Sequence, residues 1–339
     1  MPRDGSHNKG EDASMSIDAK LYGVDLFGEP LRPEVTSPVA QKFLVAPFTV
    51  LNAREGDWQD RKRAWAELGI KGELGRDAAA YGDISQFQAR AVKVANSTTG
   101  KNSCMLGITD NGDGGQCVTS IFDPVVCELA YRWFTGEGAQ IIDPFAGGSV
   151  RGVVASCLGR KYWGCDLREE QILANRVQGE TLCPDNTPEW VCGDSLAELD
   201  AAPMADFVFS CPPYGNLEEY SDDPLDLSHM KHSEFLVAYR AIIAKSCAKL
   251  KQDRFACFVV GDFRDKKGNY RNFVSDTIQA FLDAGMNYYN EAILVTSVGS
   301  ACMRVTKQFE SGRKFAKTHQ NILVFVKGDG KRATQAMAK

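Results

Sequence analysis

The sequence has no apolar stretch approaching the roughly 18 residues that a membrane-crossing helix needs. Its first residues, MPRDGSHNKGEDAS, lack the apolar core of a secretory leader. Both absences point to a cytosolic chain with no membrane partner. Histidine is scarce: there are four in all, and His229, His232 and His319 show no metal-ligand spacing, so they read as structural or surface residues and no metal is expected. The eleven cysteines stand singly with no CxxC pair, which argues against a zinc ribbon or a redox motif. Several fall in apolar runs, Cys192 and Cys257 among them, and read as reduced thiols in the core. Positive charge is not in excess either. A formal net charge of −5 argues against a protein that coats nucleic acid, although it leaves room for a local basic groove.

What is present is an enzyme-sized globular chain. With 339 residues, 44% of them hydrophobic, it can bury a full core. Residues 1–38 are rich in Gly, Ser, Asp, Glu and Pro, and read as a flexible segment. Residues 39–116 read as a small extension: a β-like run from Phe43 to Leu51, then Trp58 and Trp65 around Arg61, Lys62 and Arg63, with the look of a basic, aromatic surface. The loop-like stretches NSTTGKN and DNGDGGQ bracket a mobile piece before the main domain, at 117–328. There the pattern becomes α/β: PVVCELAYRWF, AQIID, SVRGVVASCLG, KYWGCD, EEQILANRVQGE, EWVCGD, ADFVFS, a helix at 233–251 and RFACFVVGD alternate as a mostly parallel sheet requires. NEAILVTS and QNILVFVKG read as an antiparallel, hairpin-like pair closing the sheet, and 329–339 as a frayed tail.

The chemistry gathers at strand ends. Asp143, Pro144, Phe145, Ala146, Gly147, Gly148 and Ser149 stand where a strand gives way to a helix. Small residues there let backbone approach a ligand, and a strand-tip acid can accept from a cofactor amine; a tight packing turn is the plain alternative. Asp166 ends the next strand, nineteen positions after Gly147, close to the spacing at which doubly wound sites place a ribose-binding acid. Asp194 in VCGDS can meet an adenine amine or cap the helix that follows, and the two roles can coexist. The sharpest signal is Ser210-Cys211-Pro212-Pro213-Tyr214. Two prolines withhold backbone donors and keep the chain extended, leaving carbonyls free to accept, while Tyr214 offers a flat face to a base.

In that order DPFAGGS, GCD, VCGD and SCPPY resemble motifs I to IV of the amino-methyltransferases that make N6-methyladenine or N4-methylcytosine in DNA, and the chain is similar to phage-borne or prophage-borne members of that family. The resemblance implies a Rossmann-like, S-adenosylmethionine-dependent methyltransferase fold over residues 117–328. It also implies double-stranded DNA as substrate in a bacterial or phage-infected cell, and leaves a cognate restriction nuclease open as a partner. Phe122 and Asp123 would form motif X beside the cofactor. Asp143, Phe145 and Gly147 would line its methionine end, Asp166 would hold the ribose, and Asp194 would meet the adenine. Methyl transfer would fall to Cys211, Pro212, Pro213 and Tyr214.

One position departs from the family. Its tetrad begins with Asp, Asn or Ser, whose oxygen accepts from the target amine; here Cys211 is a poor acceptor. Ser210, one residue earlier in an extended chain, should point to the opposite face, which leaves more work for the Pro212 carbonyl. Cys211 also raises C5-methylation by thiolate attack on C6 of a pyrimidine. Those enzymes place the cysteine after the proline, and no Glu-Asn-Val triplet is present. The remaining rivals are amino-methylation of a base in RNA, and a nucleic-acid-binding module with a vestigial cofactor site. The acidic stretch NLEEYSDDPLDLSHMKHSEF reads as a lid over the pocket, with Ser228 as a helix cap. DNA phosphates are expected along Arg61, Lys62 and Arg63, along Arg264, Lys266 and Lys267, and along 304–317. The last stretch sets Arg304, Lys307, Arg313, Lys314 and Lys317 against a single acid, Glu310.

Overall fold

The computed structural model describes residues 16–33, 37–70, 109–110, 116–117, 122–214, 227, 230–299 and 301–337. The loop NSTTGKN, most of DNGDGGQ, most of the lid stretch, Ser228 and His229 lie outside the described residues. In chain order the N-terminal part contains α1 (Ile17–Tyr22), α2 (Pro38–Phe43), β1 (Val50–Asn52), α3 (Asp57–Glu67) and the two-residue strands β2 (Thr109–Asp110) and β3 (Gln116–Cys117). Then follow α4 (Pro124–Phe134), β4 (Gln140–Asp143), α5 (Val150–Cys157), β5 (Lys161–Asp166), α6 (Glu169–Leu182), β6 (Glu189–Cys192), the single-turn α7 (Ser195–Glu198) and β7 (Ala205–Ser210). The chain closes with α8 (His232–Lys249), β8 (Leu250–Val260), α9 (Phe273–Asp283), β9 (Asn287–Val295), α10 (Ala301–Gly312), β10 (His319–Lys327) and α11 (Gly330–Met337).

The main sheet has eight strands in the order β1-β9-β10-β8-β7-β4-β5-β6. Parallel pairing joins β8, β7, β4, β5 and β6. This is the doubly wound, Rossmann-like α/β arrangement, in which ligand clefts form beyond the carboxyl ends of the strands where the order reverses. Here β7 and β5 flank β4, so the cleft opens at the ends of those strands. The period of two explains how both faces are covered. Phe207, Phe209, Phe255 and Cys257 pack into one core with α4 and α5, while Val208, Ala256 and Phe258 pack into the other with α8 and α9. Gly152 on α5 permits one close approach, since a Cβ there would lie 2.5 Å from Cζ2 of Trp190.

Several sequence expectations are corrected. β9 and β10 do pair antiparallel, but β10 inserts between β8 and β9, and β1 adds a parallel strand outside β9. The pair therefore does not close the sheet. Residues 39–70 are no separate extension, because β1 belongs to the main sheet and α3 packs on α4. The supposed tail forms α11, seated on β8 with Ala333 buried. Part of the N-terminal segment folds as α1, whose Ala19 and Leu21 are buried. Cys257 is buried as expected, whereas Cys192 is exposed at the tip of the outermost strand β6.

The segment around Trp58 and Trp65 is not a surface. Both rings are buried, and Arg61 is only 3% exposed. Positions 58, 61 and 65 share one helical face, a spacing visible in the sequence but masked by the neighbouring charges. Arg61 and Trp65 donate to the buried carboxylate of Glu128 on α4, at 2.6 to 2.9 Å, and Arg61 also meets Asp18 of α1 at 2.6 Å. Burial alone would lower the Arg61 pKa; Glu128 and Asp18 more than offset it and keep the guanidinium charged. Arg61 thus ties α1, α3 and α4 together and is withdrawn from any DNA-facing set.

Candidate active site

A cavity of about 530 Å³ opens at the ends of β4, β5, β6 and β7. It falls within the roughly 300–1,000 Å³ of small-molecule sites. Phe145, Gly147, Asp166 and Asp194 line it from the β4, β5 and β6 tips, Cys211, Pro212, Pro213 and Tyr214 line it from the β7 tip, and Phe122 and Asp123 line it from the start of α4. The segments that sequence spacing singled out are therefore brought to one place.

Asp143 is the exception. It is fully buried and does not line the cavity. Its Oδ1 accepts from Ser210 Oγ at 2.5 Å and from Phe145 N–H at 3.1 Å; its Oδ2 accepts from Arg151 Nε at 2.5 Å and Tyr162 O–H at 2.8 Å. With four donors on two oxygens, the carboxylate is engaged by protein and its expected place at a cofactor's methionine end is withdrawn. The same bonds turn Ser210 away from the cavity, as its strand position predicts. Arg151, nearly as buried, also donates to the carbonyls of Phe145 and Ala146 and so braces the turn from beneath. Burial would lower the Arg151 pKa, but Asp143 reverses this; burial raises that of Tyr162 and Asp143 adds to it.

Gly147 takes φ +49°, a left-handed conformation that glycine adopts without strain. Its N–H donates to Asp166 Oδ2 at 2.9 Å, and its carbonyl accepts from Asn175 on α6 at 2.7 Å. Asp166 Oδ1 accepts from Arg168 N–H at 3.0 Å. Each Asp166 oxygen keeps a second lone pair, so the carboxylate is oriented without being exhausted. Asp194 caps α7 through Leu196 N–H at 2.9 Å and still lines the cavity. Asp123 caps α4, accepts from Trp58 Nε1 at 3.2 Å and pairs with Lys62 at 3.3 Å.

At the β7 tip, Tyr214 packs edge-on against Phe273 with ring centroids 6.1 Å apart. Cys211 Sγ lies 3.9 Å from the Tyr214 hydroxyl. That hydroxyl accepts from Gln320 Nε2, 2.7 Å away on β10. Gln320, Thr296 and Ser297 line the cavity and were missed by sequence reasoning. They lie more than 80 positions beyond the tetrad with no motif around them, and only insertion of β10 into the sheet brings Gln320 here. Arg168, Leu167 and Leu196 were missed too, although their positions one or two residues past strand-tip acids were a usable signal.

The sequence matches no protein-family model and no curated protein. Among solved structures it is similar to TrmN of Thermus thermophilus, at 14% identity and TM-score 0.41, over 61% of this chain and 49% of that one. It is also similar to the magnesium protoporphyrin IX methyltransferase of Synechocystis (13% identity, TM-score 0.39, 78% of this chain and 89% of that one). A third is a TehB-like SAM-dependent methyltransferase of Corynebacterium glutamicum (15% identity, TM-score 0.37, 71% and 96%). The chain thus spans about half the length of TrmN. The site is read from its own geometry.

The remaining basic residues divide by position. Lys62 lines the cavity and faces Asp123, while Arg63 is exposed and paired with Asp60. Arg264 lies over the Tyr270 ring, 3.9 Å from its centroid, and Lys266 and Lys267 are exposed at the tip of the same turn. Residues 304–317, where DNA phosphates were expected, begin with the greater part of α10, which has no buried residue. Arg304, Lys307 and Arg313 are exposed, and Lys314 packs against Gly268 of the Arg264–Tyr270 turn, joining two basic segments into one rim. Phe309 and Phe315 stack at 5.8 Å in that rim, with Arg313 over Phe309 at 5.2 Å. Lys317 is half-buried over Gly261, near Tyr214 and 3.5 Å from His319, and burial lowers its pKa. Among the described residues no cluster of His, Cys, Asp and Glu could hold a metal, and no helix is long and apolar enough to cross a membrane.

Proposed function

We propose that the protein is an S-adenosylmethionine-dependent methyltransferase that modifies an exocyclic amino group, N6 of adenine or N4 of cytosine, of a base in DNA. The observation that carries this reading is a single cavity with two chemically different ends. At the β4–β6 end, an oriented carboxylate at Asp166, the Asp194 carboxylate and the apolar walls of Phe145, Leu167 and Leu196 fit a nucleoside: acceptors for hydroxyls and an amine beside surfaces for a flat ring. Lys62, half-exposed beside Asp123, is a cation suited to the carboxylate of an amino acid portion. When bound, S-adenosylmethionine supplies an electrophilic methyl group.

The chain's own residues do the rest by position and electrostatics. Pro212 and Pro213 present no N–H, so the wall between the two ends offers carbonyl acceptors and excludes water. Tyr214 offers a face for an extruded base, a contact of the kind that contributes about 1–3 kcal/mol per base. An exocyclic amine must direct its lone pair at the methyl carbon and then shed a proton, and fixed acceptors around it favour both. The basic and aromatic rim formed by α10, Lys314 and the Arg264–Tyr270 turn supports a polyanionic substrate on a chain of net charge −5.

Nucleoside mass spectrometry of DNA and RNA from cells expressing the protein tests the reading. Appearance of N6-methyladenine or N4-methylcytosine in DNA is the expected result. Methylation of an amino base confined to RNA would move the substrate to RNA, since the same pocket chemistry serves either polymer. No methylated amino base in either pool, with cofactor binding intact by calorimetry, would leave a nucleic-acid-binding module with a vestigial site.

A further inference from the structure

The tetrad lacks the oxygen that its chemistry calls for. Cys211 Sγ is a weak acceptor, and Ser210 Oγ is committed to the buried Asp143 carboxylate. The polar side-chain atoms of the tetrad at the cavity are then the Cys211 thiol and the Tyr214 hydroxyl. Among the described residues a carboxamide, Gln320, reaches the tetrad. Its backbone pairs in register with Leu294 of β9, itself a cavity residue, so β9 and β10 together fix where the side chain starts. One of its amide N–H groups donates to the Tyr214 hydroxyl at 2.7 Å. Among the described residues the Gln320 carbonyl oxygen makes no hydrogen bond, and the side chain lines the cavity.

We propose that Gln320 is the residue that recognises the target amine, supplying the acceptor that Cys211 does not; the inference rests on the amino-methyltransferase reading of this site. The hydrogen-bond arithmetic supports it. Gln320 Nε2 donates to the Tyr214 hydroxyl, so the carboxamide is held with its Oε1 as an acceptor beside the tetrad. An exocyclic amine offers an N–H to such an acceptor, whereas a keto oxygen in its place would face a like partner. A Gln320 oxygen accepting one N–H of the amine also orients the nitrogen lone pair and stabilises the positive charge that develops on nitrogen as the methyl group is bonded.

The experiment measures transfer of tritiated methyl from S-adenosylmethionine to unmethylated DNA and RNA, maps the modified base, and compares the wild type with Q320L and Q320E. Q320L should lose roughly ten- to hundredfold in kcat/KM, the range for a lost bond to a buried polar group, with cofactor affinity by calorimetry unchanged. Q320E keeps an acceptor for the amine but takes the Tyr214 proton, so its activity should fall between the two. A second measurement separates recognition from a structural role. The wild type should bind an oligonucleotide carrying the mapped base more tightly than one whose base lacks the exocyclic amine, and Q320L should bind the two alike. If the wild type methylates a base while Q320L keeps kcat/KM within about twofold, or keeps the preference for the amine, the assignment of Gln320 is overturned and the functional reading stands. If the wild type transfers no methyl to any base, both are overturned.

Discussion

At the β4–β6 end of the cavity carboxylates and backbone groups are fixed by protein donors before any ligand arrives, whereas at the β7–β10 end the wall is built from a thiol, an aromatic ring and a carboxamide. Asp143 carries four donors, Asp166 two, and Gly147 is held through both its N–H and its carbonyl. At the far end the Cys211 thiol and the Tyr214 hydroxyl are 3.9 Å apart, and Gln320 donates to that hydroxyl from β10. The difference teaches where rigidity is placed. A site for one small, invariant cofactor gains from acceptors fixed in advance, because less order is lost on binding. A site that admits a base swung out of a polymer needs room, a flat contact and a few convergent groups. The outer rim goes further, with α10 burying none of its residues.

The largest expected effect attacks the fixed end. Replacing Asp143 with Ala strands the buried Arg151 guanidinium without its counter-ion and leaves Tyr162 and Ser210 without an acceptor. Loss of one partner of a buried pair destabilises by about 3–5 kcal/mol. Denaturant unfolding should show a drop of that order, and cofactor affinity should fall only as the folded fraction falls. Unchanged stability with selective loss of cofactor binding would return Asp143 to the ligand.

At the β7–β10 end, Tyr214→Ala should leave the fold and cofactor affinity intact and reduce methyl transfer by the worth of one stacked base, about 1–3 kcal/mol or five- to 150-fold. Single-turnover kinetics with saturating cofactor read this directly. Turnover near that of the wild type would detach the tetrad from the target pocket.

Smaller, and diagnostic by its form, is the response of the rim. Neutralising Lys307, Arg313 and Lys314 together should flatten the dependence of log affinity on log salt by up to about 0.9 per lost phosphate contact, across all sequences and without touching cofactor affinity. Lys317 is left alone because it sits over Gly261 beside Tyr214. Binding isotherms from low to moderate salt decide the point, and an unchanged slope would make α10 an ordinary solvated helix.

The smallest effect separates Lys62 from the rim to which its sequence neighbours assigned it. Lys62→Ala should weaken cofactor binding by about 0.5–1 kcal/mol, the scale of a half-exposed ion pair. The salt slope of DNA binding should not move. A shift in that slope with unaltered calorimetry would restore Lys62 to the phosphate-contacting set.

Much of this was legible in the residues themselves. The alternation from PVVCELAYRWF to RFACFVVGD specified the parallel core, because helical and strand periods of apolar residues cannot be exchanged without exposing a face. The order of DPFAGGS, GCD, VCGD and SCPPY placed three acids and a Pro-Pro-Tyr turn at strand tips, and a doubly wound sheet brings such tips to one cleft whatever the intervening loops. What a charge does there was not legible. Asp143 and Asp166 each end a strand, yet one is sealed under Arg151 and the other lines the cavity. Arg61 and Lys62 are adjacent, yet one is a buried tie between helices and the other a cavity residue. Burial and partners set these roles, and the partners, Glu128, Asp18, Tyr162 and Ser210, come from elements distant in sequence. Insertion of β10 between β8 and β9 was likewise a tertiary decision, since an apolar run such as ILVFV fits any strand buried on both faces. That insertion carries Gln320 to Tyr214 across 106 positions of chain.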